Sequence, residues 1–172
     1  IAVYIASIVE IPYRSLSAIS RPHISQGMKD GDILTVNTLI KNVSLHQFIA
    51  SSFIFFLIWI NIDLIYSIIP NGDIYEEAKL VVLILALVKI INTSLNVGLT
   101  VLSYSKYYYY SLLFTIVLTT VAIFMNIKLI PKFGMEGAAL ASLSSYIVYY
   151  IFLLTFVAYK IKISPFSIKE FY

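Results

Sequence analysis

Four apolar stretches of membrane-spanning length, separated by short polar breaks, restrict the possible folds of this chain more than any other feature. They cover residues 48–70, 79–102, 109–130 and 137–159. Each matches the ~20 residues a helix needs to cross a hydrocarbon core about 30 Å thick. Composition agrees: 60% of residues are hydrophobic and 12% charged, with mean hydropathy +0.90, against about 25% charged in soluble domains. Four long apolar helices in 172 residues would leave too little chain to cover them in water. The predicted class is all-α, a polytopic transmembrane helix bundle.

The net charge of +3 is small and sits mostly in loops and flanks, which argues for membrane topology rather than nucleic-acid binding. With no cysteine, disulfides, thiolate metal sites and cysteine nucleophiles are excluded. The run 1–8 is already apolar, so the chain is expected to be a fragment entered partway through a fifth helix over 1–19. Pro12 should kink that helix, and Glu10 and Arg14, at i,i+4 spacing, are expected to pair across the kink. Residues 20–47 read as a polar loop holding Arg21, Pro22, His23, Lys29, Asp30 and Asp32. Within it Asp32 is expected to cap a short amphipathic helix over 33–45 at the membrane surface.

The remaining connections are an acidic segment at 71–78, a Lys106-containing segment at 103–108, and Pro131-Lys-Phe-Gly-Met-Glu136. In the last, Pro131 is expected to stop one helix and Gly134 to take the positive φ of a tight turn. A tail over 160–172 carries Lys160, Lys162, Pro165 and Lys169. Basic residues concentrate in 20–47, 103–108 and the tail, which by the positive-inside rule face the cytoplasm.

Lys89 is the sharpest candidate for function. It lies ten residues into its span, about 15 Å along the helix and near mid-membrane. A lysine there costs a few kcal/mol unless it finds water or a partner. Asn92, Thr93, Asn96 and Thr100 follow at i+3, i+4, i+7 and i+11, a polar stripe that reads as lining a hydrated cavity. Asp63, across one loop, is the expected partner of Lys89, as an ion pair or a coupling carboxylate. Glu10 is assigned the same class of role, and Arg14 suits a phosphate because its planar fork matches phosphate oxygens. Gly137, Ala141 and Ser145 form a small-residue packing line. Tyr104 and Tyr107–Tyr110 fit an interfacial aromatic belt. His23 and His46 lack metal-spaced partners, and no phosphate loop, nucleophile elbow or HExxH is present. The chain is therefore expected not to be an enzyme and to need no cofactor or metal.

Leu129-Ile-Pro-Lys-Phe-Gly-Met-Glu-Gly-Ala-Ala-Leu-Ala141, with Asn126 before it, resembles a late-helix signature of the polysaccharide (O-antigen and capsule) flippases. These belong to the multidrug/oligosaccharide-lipid/polysaccharide exporter superfamily. Ser103-Tyr-Ser-Lys-Tyr-Tyr108, Arg21-Pro-His-Ile-Ser25 with Gly31-Asp32, and Ile58-Trp-Ile-Asn61 leading to Pro70 are similar to the same family in order and spacing. The resemblance implies the C-terminal half of a two-lobed, MATE-like transporter in a bacterial inner membrane, with 20–47 as a cytoplasmic loop. It implies transfer of undecaprenyl-diphosphate-linked oligosaccharide between leaflets by alternating access, for lipopolysaccharide or capsule synthesis. Implied partners are the lipid-linked substrate, membrane lipids, glycosyltransferases and a polysaccharide polymerase, with no nucleic acid. The site residues assigned on physical grounds are Lys89, Asn92, Asn96 and Arg14 for substrate, with Asp63 and Glu10 for coupling or ion pairing. A multidrug or small-molecule exporter of the same superfamily, or a membrane polysaccharide polymerase or ligase, is the alternative.

Overall fold

A computed structural model describes residues 1–69 and 78–164. Expectations that fall on Pro70, 71–77, Pro165 and Lys169 lie outside the described residues. Among these residues the chain is helical without strands: α1 (Ala2–Ser7), a 3-10 turn (Ile8–Glu10), α2 (Ile11–Asp30), α3 (Ile33–Ile60), α4 (Ile62–Ile68), α5 (Lys79–Leu95), α6 (Val97–Tyr104) and α7 (Tyr109–Ile161). Three helical elements are long and apolar enough to cross a membrane: Ile33–Ile60, Lys79–Tyr104 and Tyr109–Ile161.

The third of these is two spans. At 53 residues a straight helix would run about 80 Å, yet the rings of Tyr110 and Phe156 lie 4.8 Å apart and those of Phe114 and Phe156 5.4 Å apart. The chain therefore doubles back at Gly134, whose φ of 55° and ψ of −128° are not helical and suit only glycine in a tight turn. Gly137 completes the bend: a β-carbon there would collide with the Leu129 carbonyl oxygen. The limbs on either side correspond to the expected spans 109–130 and 137–159. Pro131, expected to stop the first limb, lies inside the helical element instead, and the glycine three residues later makes the turn.

The larger correction concerns 20–47. No loop spans it. Helix α2 continues through Pro22 to Asp30, and α3 starts at Ile33 and runs unbroken into the first full span. The expected short surface helix over 33–45 is thus the first half of a 28-residue helix. Two residues make the whole connection. Gly31 adopts a left-handed φ of 74°, and Asp32 N–H donates to the Gly27 carbonyl at 3.0 Å, a Schellman closure. Asp32 then caps α3 by accepting from Thr35 N–H at 3.1 Å. Arg21, His23, Lys29, Asp30 and Asp32 occupy outer helix faces, while Ile24, Val36, Ile40 and Val43 are buried together with Ser20, Ser44 and Gln47. Proline is tolerated at 22 because the carbonyl it leaves unbonded belongs to Ala18, which is exposed. Near Pro12 the backbone does change pitch, in the Ile8–Glu10 turn.

Helix α5 is central, packed by α1, α3 and α7, while α2 lies against α3 and α6. Two apolar clusters fill the bundle. One gathers Ile24, Val36, Ile40, Val101, Leu102, Leu153 and Val157 towards the tyrosine-rich end. The other gathers Ile5, Val9, Phe55, Ile58, Tyr66, Val82 and Ala86 towards the opposite end. Between them, at mid-span, lies a layer of polar side chains. The Gly137, Ala141 and Ser145 line is buried, as expected of a packing face.

Candidate functional site in the mid-span polar layer

The turn before α2, α2 itself, α3, α5 and the second limb of α7 each contribute a polar side chain to this layer. Lys89 Nζ donates to Glu10 Oε1 at 2.8 Å, with the two side chains 27% and 21% exposed. The pair joins the turn before α2 to the middle of α5. Asp63, the expected partner, is instead 2.6 Å from Lys79 Nζ and is 79% exposed. The reason is depth: Asp63 is in a short helix redirected at Asn61, level with the first residue of α5 rather than the eleventh. The expected Glu10–Arg14 bridge is also absent, because Glu10 turns to Lys89. Arg14 is exposed and makes no ion pair among the described residues.

The polar stripe on α5 is divided among three neighbours rather than facing one cavity. Thr93 is fully buried and exchanges a 3.0 Å hydrogen bond with Ser51 of α3. Tyr150 of α7 donates to Asn92 Oδ1 at 2.7 Å. Asn96 donates through its side-chain amide to the Tyr13 hydroxyl of α2. Only Asn96 and Thr100 reach an open cleft, of about 220 Å³, whose wall also includes Arg21, Ser103 and Tyr104. Arg21 in turn donates to Tyr13 at 3.2 Å. Along α2 and α5 a run of polar positions extends from the Lys89–Glu10 pair to Asn96, Tyr13 and Arg21, the last three of which are linked by hydrogen bonds.

The layer is not fully satisfied internally. Gln47 donates weakly to Ser17 at 3.5 Å, and among the described residues its Oε1 has no partner, nor do the hydroxyls of Ser44 and Ser94. Each orphaned buried polar atom costs on the order of 1–3 kcal/mol.

Tyr13, Arg21, Ser17 and Tyr150 were not among the residues expected at the site. A signal for three of them exists in the sequence. Glu10, Tyr13, Ser17 and Arg21 follow the steps i, i+3, i+7 and i+11, the same spacing as Lys89, Asn92, Asn96 and Thr100. These steps place each set on one helical face. Two parallel helices carrying matched stripes are set to meet along them. Reading 20–47 as a loop cut the first stripe short at Ser17.

On the opposite face of α5 the surroundings are mostly apolar. Leu87, Ile90 and Ile91, with Phe48, Ser52, Phe55, Phe56 and Leu143, line a groove of about 440 Å³. The central helix thus presents one face to polar groups and the other mainly to apolar side chains. Comparison of the chain with family models, with curated proteins and with solved structures finds no match.

Proposed function

We propose that this chain is part of a membrane transporter that moves a lipid-linked, phosphate-bearing oligosaccharide between leaflets, in a bacterial inner membrane and without enzymatic chemistry. The observation carrying this reading is the Lys89–Glu10 pair at mid-span, with hydrogen-bonded Asn96, Tyr13 and Arg21 further along the same two helices and Asn96 and Arg21 lining a cleft. Ionisable groups at that depth are expensive and mark substrate or ion pathways by default. Two cationic groups, Lys89 and Arg21, stand at the two ends of the run. An anionic headgroup entering the cleft meets Arg21 first and then competes with Glu10 for Lys89. Arg14, exposed and without an ion pair among the described residues, is available to a phosphate from the bundle surface. The likeness of 129–141 and the other quoted segments to polysaccharide flippases supports the choice of substrate class.

The test is replacement of Lys89 by Ala, and separately by Met, in the intact protein, with surface polysaccharide scored. Loss of polysaccharide from a normally expressed variant is expected. Wild-type levels from such a variant would overturn the reading.

A further inference from the structure

The tyrosine-rich end of the bundle holds a second basic cleft that the transport path does not use. It has a volume of about 280 Å³ and is walled by Lys106, Tyr104 and Tyr107 from the connection before α7, by Lys160 from the last turn of α7, and by Met28 and Ile33 from either side of the α2–α3 turn. The fold-back at Gly134 brings Lys106 and Lys160 together, although 54 positions separate them in the sequence. The walls are fixed. Tyr107 packs edge-on against Phe156 at 6.2 Å, and Ser105 accepts from the Tyr107 N–H at 3.1 Å. Lys162, with a left-handed φ of 62°, ends α7, and Ser164 N–H then donates to Asn37 Oδ1 at 3.1 Å.

Neither lysine has a carboxylate within ion-pair distance among the described residues. Each ammonium lies over a tyrosine ring instead, Lys106 at 5.2 Å from Tyr107 and Lys160 at 5.4 Å from Tyr159. The geometry points to a binding site for the headgroup phosphate of an anionic phospholipid. Lys106 and Lys160, without a carboxylate partner among the described residues, both line one cleft at the level where exposed Tyr104, Tyr108 and Tyr109 mark the membrane–water boundary. Basic pockets between membrane helices at that level take anionic headgroups. Met28, Ile33 and Ile161 supply an apolar floor for the glycerol and upper acyl carbons. A bound lipid would clamp the α2–α3 turn to the two ends of α7.

The site is independent of the transport reading, and so is its test. The purified protein is placed in nanodiscs of phosphatidylcholine alone, of phosphatidylcholine with phosphatidylglycerol, or of phosphatidylcholine with inorganic phosphate in the buffer. Thermal midpoint and retained phosphatidylglycerol are measured. Phosphatidylglycerol is expected to raise the midpoint, and phosphate is not. The Lys106→Gln/Lys160→Gln variant should bind phosphatidylglycerol about thirtyfold more weakly, two lysines' worth of surface attraction, and lose the shift. Lys128→Gln/Lys132→Gln, altered near the Gly134 turn at the other end, should keep it, as should Lys106→Arg/Lys160→Arg. If the double glutamine variant does not fold, each single variant should show about half the loss on a logarithmic scale. An equal shift in the glutamine variants and wild type, an equal loss in the Lys128/Lys132 control, or a shift reproduced by phosphate alone would overturn the proposal.

Discussion

Two lysines on the same central helix, ten residues apart, find carboxylates in opposite circumstances. Lys79 begins α5 and meets Asp63, a side chain that is 79% exposed. Lys89 lies about 15 Å further in and meets Glu10, which is 21% exposed. The outer pair keeps most of its hydration, so its attraction is screened and its removal costs little. The inner pair has given up most of its hydration, and each partner keeps the other from standing alone in a low-dielectric layer. Identical chemistry therefore serves a local tether at one depth and a structural commitment at the other.

The contrast is broken most directly by removing one inner partner. Glu10→Ala or Lys89→Ala should destabilise the protein by about 2–4 kcal/mol, the range for an ion left unpaired in a membrane or protein interior, read as a lowered thermal midpoint in detergent. The double variant Glu10→Leu/Lys89→Met removes both charges and should recover most of that stability. Under the proposed transport function, surface polysaccharide should remain lost. Full export from the double variant would make the pair structural only.

The neutral part of the same layer sharpens the comparison. Thr93→Val keeps the side-chain shape but deletes the 3.0 Å bond to Ser51, leaving that buried hydroxyl without its partner. A loss of about 1–2 kcal/mol is expected, with no dependence on salt, measured by unfolding at low and high ionic strength. Asp63→Asn, at the outer pair, should cost under about 1 kcal/mol and should cost less still in high salt.

The smallest effect belongs to a carboxylate held by hydrogen bonds alone. Hydrogen bonds from the Thr35 side chain and backbone hold the Asp32 carboxyl below its ordinary range. Because the folded state favours the ionised form, its contribution is present above the unfolded carboxylate value near 4. It fades as pH falls through the lower folded value. Asp32→Asn keeps a capping oxygen, so the small gap between it and wild type should close on acidification. Thermal unfolding of both proteins as a function of pH measures that gap.

The spans were legible because a hydrocarbon solvent imposes length and apolarity directly on sequence. The Gly134 reversal was legible because few residues other than glycine tolerate that backbone. Residues 20–47 were not, since charges placed on the outer face of a paired helix have the same composition as a loop. Only the burial of Ile24, Val36, Ile40 and Val43 against α6 and α7 distinguishes the two, and that depends on partners distant in sequence. The depth of Lys89 could be read by counting residues. Its partner could not, because Glu10 lies 79 positions away and the choice between it and Asp63 depends on which helices run parallel. Asn92, Thr93 and Asn96 were correctly grouped as polar, but helical spacing alone does not say that they serve three different neighbours.

The central claim is that one face of α5 meets a hydrated path and the other meets hydrocarbon. The chain has no native cysteine, so single cysteines can be placed at Asn96 and Thr100 on the polar side, and at Leu87 and Ile91 on the groove side. Each is then exposed, in open membranes, to a charged thiosulfonate that reacts only where water reaches the thiol. Rapid labelling at 96 and 100, with none at 87 and 91, is the predicted result. Equal labelling on both faces, or protection at 96 and 100, would contradict the account.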